Sequence, residues 1–245
     1  MDSRSCLPSG WTGLGCIAAP ETVESLRTAF EVLLDEDVAR ARYPSRAACL
    51  AVCQRWPNAW RRHPAFRLWL DDVVRDGVPA MLLGSLSPRL LYLDVIVKQP
   101  GSTLHVPWHQ DLPHWAISPD PTRVSPAGVL IWLALDDVDP ASGGLRYLRG
   151  GLSDASPTAE HIDVVPAMRA GEALAHDPRA WHASGPNRTD RWRRACLAAF
   201  ADASLPRKDG LPWDEAANPA YPASESRSGA ASPSPTTVTA SMLGR

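Results

Sequence analysis

Two histidines and one aspartate carry the most specific chemistry in this sequence. His109-Gln110-Asp111 follows a strand-like run. Residues two apart on an extended chain project to the same side, so one imidazole and one carboxylate face a common point. His182 lies 73 positions further on, in Trp181-His182-Ala183-Ser184-Gly185-Pro186-Asn187, again beside a strand-like run. Two imidazoles and one carboxylate on one face are the donor set that holds non-haem Fe(II) and leaves three coordination positions open. Reaction of O2 with a co-substrate at one iron needs those open positions, and a closed four-donor zinc site has none. In a chain with seven histidines this pattern is weak on its own. A further signal is Arg193, eleven residues after His182 and at the head of the apolar run 195–200. A buried guanidinium there demands a carboxylate partner. The dicarboxylate 2-oxoglutarate supplies one, with its keto-acid end on iron and its far carboxylate on Arg193. Ser184, two positions after His182, offers a hydroxyl to the same group.

The elements that must position these residues are readable from periodicity. Residues 21–41 carry Val23, Leu26, Phe30, Leu33, Leu34 and Val38 at helical spacing after Pro20. Two more helices are predicted over 45–56 and 64–76, so the first third reads as helical. Trp56, Trp60 and Trp69 fall on or beside them and are expected to fill a helix-to-sheet interface. After Pro88 the pattern changes to short runs rich in β-formers: 90–97, 106–108, 128–135, 144–148, 161–165, 172–175 and 194–201. Turn signals such as Asp139-Pro140 and Ser142-Gly143-Gly144 separate them. Short strands so punctuated predict a mainly β fold with N-terminal helices, a jelly-roll sandwich. The expected organisation is one domain over 1–221: helical to 88, β core over 89–201, and a loosely packed extension over 202–221. Residues 222–245 are mainly Ser, Ala, Thr, Pro and Gly, a composition expected to stay disordered.

Composition removes several function classes. The chain has 245 residues, with 25 basic and 27 acidic side chains and a formal charge of −2. No basic stripe matches a phosphate backbone, so nucleic acid is not an expected partner. No stretch has the length of a membrane span, and the N-terminus lacks the apolar centre of a secretory signal. Five cysteines without CxxC spacing fit neither a disulfide framework nor a zinc ribbon, and the expected location is the cytoplasm. Only two lysines, Lys98 and Lys208, stand among the 25 basic residues, and abundant Ala and Pro with this arginine excess suggest a GC-rich bacterial source.

Three segments together carry a family resemblance. They are Trp108-His109-Gln110-Asp111-Leu112-Pro113-His114-Trp115, then Trp132-Leu133-Ala134-Leu135-Asp136-Asp137-Val138-Asp139 with Ser142-Gly143-Gly144-Leu145, and finally His182-Ala183-Ser184-Gly185-Pro186-Asn187-Arg188 leading to Arg193. In order and spacing they resemble the phytanoyl-CoA dioxygenase (PhyH) family of Fe(II)- and 2-oxoglutarate-dependent oxygenases. The resemblance spans 90–200, and the helices before it fit the family's usual preamble. It implies a double-stranded β-helix (jelly roll, cupin-like). It also implies that His109, Asp111 and His182 bind Fe(II), that Arg193 and Ser184 hold 2-oxoglutarate, and that Trp132 lines that pocket. Such enzymes convert 2-oxoglutarate and O2 to succinate and CO2 while oxidising a substrate. Related halogenases have a small residue where this chain has Asp111, so oxidation without halide is implied. The chain departs from the family at Leu148-Arg149-Gly150-Gly151-Leu152, where Pro-Gly-Ser-His is common.

The function expected from these readings is hydroxylation of a small molecule, such as an amino-acid derivative, in bacterial specialised metabolism. Desaturation or ring formation are the alternatives within the same chemistry. A metal-dependent hydrolase or isomerase, or a non-catalytic binding protein, are the alternatives from other classes. Substrate-facing candidates are Asp94, Lys98, His114, Trp115 and Arg146. Asp94 and Lys98, four apart on one strand, are also candidates for an internal ion pair. His105 and His176 lie near the donors in sequence without being assigned to the metal. A monomer or a homodimer is expected.

Overall fold

A computed structural model of the chain describes residues 7, 9–115, 117, 127–148, 152, 157, 162–164 and 167–206. The expected C-terminal tail and most of the preceding extension lie outside these, as do residues 149–151. Two antiparallel sheets face each other. The larger is built from β1 (Trp11–Cys16), β2 (Arg55–Trp56), β3 (Pro88–Lys98), β5 (Gly128–Ala134), β8 (Glu172–His176) and β10 (Arg193–Asp202), in the order β1-β8-β5-β10-β3-β2. The smaller holds β4 (Val106–His109), β6 (Leu145–Leu148), β7 (Ile162–Val164) and β9 (His182–Ser184), in the order β4-β9-β6-β7. This is the expected jelly-roll architecture, with helices on the outer face of the larger sheet.

Strand β5 shows how sequence becomes layers. All seven of its residues are buried. Val129, Ile131 and Leu133 pack with the helices, whereas Leu130, Trp132 and Ala134 face the space between the sheets. A strand covered on both sides must be apolar at every position, which is why its sequence runs without alternation. The helical layer comprises α1 (Pro20–Ala39), α2 (Arg46–Val52), α3 (Pro64–Arg75) and α4 (Val78–Leu83). Leu26, Phe30 and Leu33 of α1 are fully buried with Trp56 and Trp69, each contributing about 1.5–3 kcal/mol by leaving water. The same layer takes Leu93, Val95 and Val97 of β3 and Cys196, Ala198 and Phe200 of β10. Among the described residues no helix is long and apolar enough to cross a membrane.

The structure corrects the N-terminal third in three places. Residues 11–16 form β1, which pairs with β8 through a bulge at Gly13/Gly15. The helix expected over 45–56 ends at Val52, and Arg55 and Trp56 join β3 as an edge strand. After Gly77, which adopts φ 73°, the chain starts a further short helix with Pro79 in its first turn. The expected Asp94–Lys98 ion pair does not form. The Asp94 carboxylate takes a hydrogen bond from Arg55 Nε at 2.5 Å and one from the backbone N–H of Asn58 at 2.9 Å. Lys98 turns to the smaller sheet instead.

Candidate active site

The donors expected to bind metal converge because β4 and β9 are hydrogen-bonded neighbours in which His109 stands directly opposite His182. Their rings are 4.1 Å apart, centroid to centroid. Asp111 follows β4 and is fixed by a turn that begins just after β8. Its backbone N–H and that of Leu112 both donate to Pro178 O, at 2.9 and 3.0 Å, and Gln110 Nε2 donates to Arg179 O at 2.6 Å. Buried Asp177 anchors that turn through Arg179 at 2.7 Å. The potential ligand atoms of His109, Asp111 and His182 lie within 4.8 Å of one another.

The hydrogen bonds of the two histidines decide which nitrogen faces the cluster. His109 Nδ1 lies 2.9 Å from Pro107 O and His182 Nδ1 lies 3.0 Å from Ala180 O. A carbonyl only accepts, so each Nδ1 carries the proton and each Nε2 presents a lone pair. Those Nε2 atoms sit 3.8 and 3.5 Å from Asp111 carboxylate oxygens. Burial pushes His182 down to about 3, which keeps it neutral as a ligand must be. Burial also acts to raise Asp111, but the hydrogen bond from His176 and the charges of His182, His176 and His109 outweigh it and hold the carboxyl well below its usual range. An anionic carboxylate beside two outward lone pairs fits a divalent cation.

The second half of the site lies where β3 and β10 pair, with Arg193 opposite Lys98. Both side chains are 1% exposed. Arg193 lies over the Trp132 ring at 5.7 Å, its Nε has no hydrogen-bond partner, and among the described residues no carboxylate pairs with it. Burial pushes its pKa down to about 10. Lys98 Nζ donates to Ser184 Oγ at 2.8 Å and to the backbone oxygens of Ser184 and Gly185. Burial, then the charge of Arg193, push it down to about 6. Gly143 makes this approach feasible: it adopts φ 81°, and a Cβ there would lie 2.6 Å from Gly185 O and 3.2 Å from Lys98 Cδ. Burying two basic side chains without a paired carboxylate disfavours their charged forms, and an anionic ligand offsets that cost.

Among the expected substrate-facing residues, Lys98 joins Ser184 and Arg193, whereas Asp94 is fully buried in its bonds to Arg55 and Asn58. Trp115 packs edge-on against Tyr92, and His114 is exposed on a short 3-10 turn, Leu112–His114. Arg146 stacks on Trp108 at 5.6 Å, on the opposite face of β6 from Tyr147. There it borders a groove of about 250 Å³ with His105. Sequence reasoning noted His176 near the donors without giving it a role and did not single out Tyr147; the structure sets His176 against Asp111 and Tyr147 behind His176, contacts that nothing local marks. A lysine kept inside an apolar strand of an arginine-rich chain was the available signal for Lys98.

A double-stranded β-helix that gathers two imidazoles and a carboxylate beside a buried arginine and lysine with no ion-paired carboxylate among the described residues is the framework of a non-haem iron, 2-oxoglutarate-dependent oxygenase. The family model for phytanoyl-CoA dioxygenase (PhyH) matches residues 9–195, and the chain belongs to that family. It is therefore an oxidoreductase that uses Fe(II), 2-oxoglutarate and O2. Among solved structures it is similar to the non-haem α-ketoglutarate-dependent carbocyclase SnoK from nogalamycin biosynthesis, with 22% identity over 85% of this chain and 86% of that one, at TM-score 0.68. The epimerase SnoN in complex with Fe3+, α-ketoglutarate and nogalamycin RO gives 19% identity, 84% coverage of each chain and TM-score 0.65. EvdO2 from Micromonospora carbonacea var. aurantiaca gives 24% identity, 86% and 96% coverage, and TM-score 0.63. At these identities the likeness is one of fold.

Proposed function

We propose that the chain hydroxylates a diffusible small molecule in a bacterial specialised-metabolite pathway. His109, Asp111 and His182 are the iron donors, and Arg193, Lys98 and Ser184 together hold the far carboxylate of 2-oxoglutarate. The observation that carries this reading is the pair of buried basic side chains, Lys98 and Arg193, joined to the donor strand through Ser184 and without a carboxylate ion pair among the described residues. With iron bound, the co-substrate and O2 supply the oxidising power. The chain's own residues bind, orient and shield. Arg193 offers a planar fork to a carboxylate. Lys98, by donating into Ser184 Oγ, leaves the Ser184 proton free to donate to the same carboxylate. Trp132 floors the pocket beneath Arg193. The Nε2 lone pairs of His109 and His182 and the charge of Asp111 would hold the metal, and a set of three protein donors would leave room for the co-substrate and O2.

The structural relatives named for nogalamycin biosynthesis support a small-molecule substrate of a specialised pathway. An amino-acid derivative is one such class, and a compound like the one bound to SnoN is another. A cytoplasmic location belongs to the same reading, supported by the described cysteines Cys16, Cys49, Cys53 and Cys196, which are all free thiols. The test is aerobic incubation with Fe(II), 2-oxoglutarate and a panel of such molecules, followed by mass spectrometry. Substrate-dependent succinate together with a product that gains one oxygen atom is the expected result. Succinate with a product that loses two hydrogens favours desaturation or ring closure, a reading supported by the carbocyclase among the relatives. Turnover without succinate overturns the co-substrate assignment.

A further inference from the structure

The space behind Asp111 holds a third imidazole. His176, at the end of β8, is 1% exposed, and its ring lies 4.7 Å from that of His182. Its hydrogen bonds differ from those of His109 and His182. Its Nδ1 meets the Tyr147 hydroxyl at 2.9 Å, not a carbonyl, and its Nε2 approaches Asp111 Oδ2 at 3.5 Å. A carbonyl can only accept, which fixes the proton on Nδ1 of His109 and His182, whereas the Tyr147 hydroxyl can donate, so on His176 alone the proton is free to sit on the Nε2 that faces Asp111. In that tautomer His176 presents a lone pair on Nδ1, to which the Tyr147 O–H donates. Tyr147 is itself held in place: it is 1% exposed, and Trp11 of β1 stacks on it at 5.1 Å with a 13° interplanar angle.

We infer that Tyr147 and His176 form a positioning relay, Tyr147 O–H to His176 Nδ1 and His176 Nε2–H to Asp111 Oδ2, which sets the orientation of the carboxylate that faces the metal. Burial, then the charge of Asp111, raise Tyr147 well above its ordinary range, so its proton stays available for the relay. The relay spends one Asp111 oxygen on a fixed partner, which limits how far the carboxylate can rotate. It also ties β1, β6 and β8 to the site, although none of the three provides a metal donor. His176 acts through Asp111 and is a positioning residue. This inference rests on the proposed metal centre.

The test is titration of the metal-free full chain with Co(II) by isothermal calorimetry, alongside thermal melting without metal. His176→Phe is expected to weaken Co(II) binding by about 10- to 100-fold, the usual consequence of losing an outer partner of a metal ligand. His176→Gln keeps an N–H at the place of Nε2 and is expected to stay within about threefold of wild type, since the donor survives. Tyr147→Phe removes one oxygen and keeps the ring, and is expected to fall between them. A purely structural role would lower the melting temperature of His176→Phe and leave the Co(II) Kd unchanged, which overturns the relay. Gln as weak as Phe overturns the donor role. If His176→Phe does not fold, Tyr147→Phe decides alone, and an unchanged Kd overturns the inference. Absence of Co(II) binding to wild type overturns the metal centre itself, a result distinguishable from failure of the relay.

Discussion

The two ends of the cavity solve opposite electrostatic problems. At the donor end one carboxylate stands among three imidazoles, and the Nδ1 of each ring already has a partner in Pro107, Ala180 or Tyr147. That end is organised before any ligand arrives. At the other end Lys98 and Arg193 are buried side by side, and no carboxylate among the described residues forms an ion pair with either, Asp136 acting on Arg193 through its charge alone. The contrast divides the labour: the donor end contributes geometry, and the cation end contributes affinity for a ligand of opposite charge. Preorganised polar groups cost little at the moment of reaction. Arg193 stays charged in the empty site and Lys98 regains its charge when an anion binds, which makes the empty state unfavourable and the bound state correspondingly better.

The contrast can be broken at either end. Asp111→Ala removes the only anionic donor of the cluster, and is expected to weaken Co(II) binding by more than the roughly 10- to 100-fold of an outer-partner change and to abolish Fe(II)-dependent succinate formation. Calorimetry and a succinate assay check both. Arg193→Met breaks the opposite end: 2-oxoglutarate affinity is expected to fall about 100-fold or more, as when one partner of a buried charge pair is removed, with the Co(II) Kd unchanged. Loss of both affinities together in either variant would remove the division of labour.

A pH series sharpens the contrast further. Burial and Arg193 push Lys98 down to about 6, so the amine of the empty site is mostly neutral above that pH. A bound carboxylate raises that value and returns the charge, so binding takes up a proton between about 6 and the raised pKa. Affinity for 2-oxoglutarate is therefore expected to fall as pH rises above 6, by up to about tenfold per unit. Proton uptake is read from calorimetry in buffers of different ionisation enthalpy. Lys98→Met should flatten the profile, and a flat profile in wild type would contradict the assignment. The smallest effect on either affinity is expected from Asp94→Asn. This residue serves Arg55 and the Asn58 N–H, not the cavity, so about 1–3 kcal/mol of stability should be lost while both ligand affinities hold.

What was legible in the sequence follows the same divide between local and distant partners. The strands of the β core were readable because their apolar runs are continuous or bounded by Pro and Gly, as in β5. The donor pattern was readable because His109 and Asp111 are two apart and His182 stands beside a strand. Strand β1 was hidden by its two glycines and its largely uncovered edge position, which dilute the apolar signal. Strand β2 is only two residues long. The Lys98–Ser184 contact spans 86 positions, Asp94–Arg55 spans 39 and His176–Asp111 spans 65, and each is set by sheet register, not by local spacing. For that reason Asp94 and Lys98 looked like a pair on one strand while the fold gives them separate partners.

The central claim is that a keto diacid bridges the two ends. Anaerobic addition of Fe(II) and then 2-oxoglutarate, followed through the visible metal-to-ligand charge-transfer absorption, reads both contacts at once. The account predicts a band that saturates at one 2-oxoglutarate per chain, is lost in His109→Ala, and needs far higher 2-oxoglutarate to appear in Arg193→Met. A wild-type protein without the band, or an Arg193→Met protein that titrates like wild type, would contradict it.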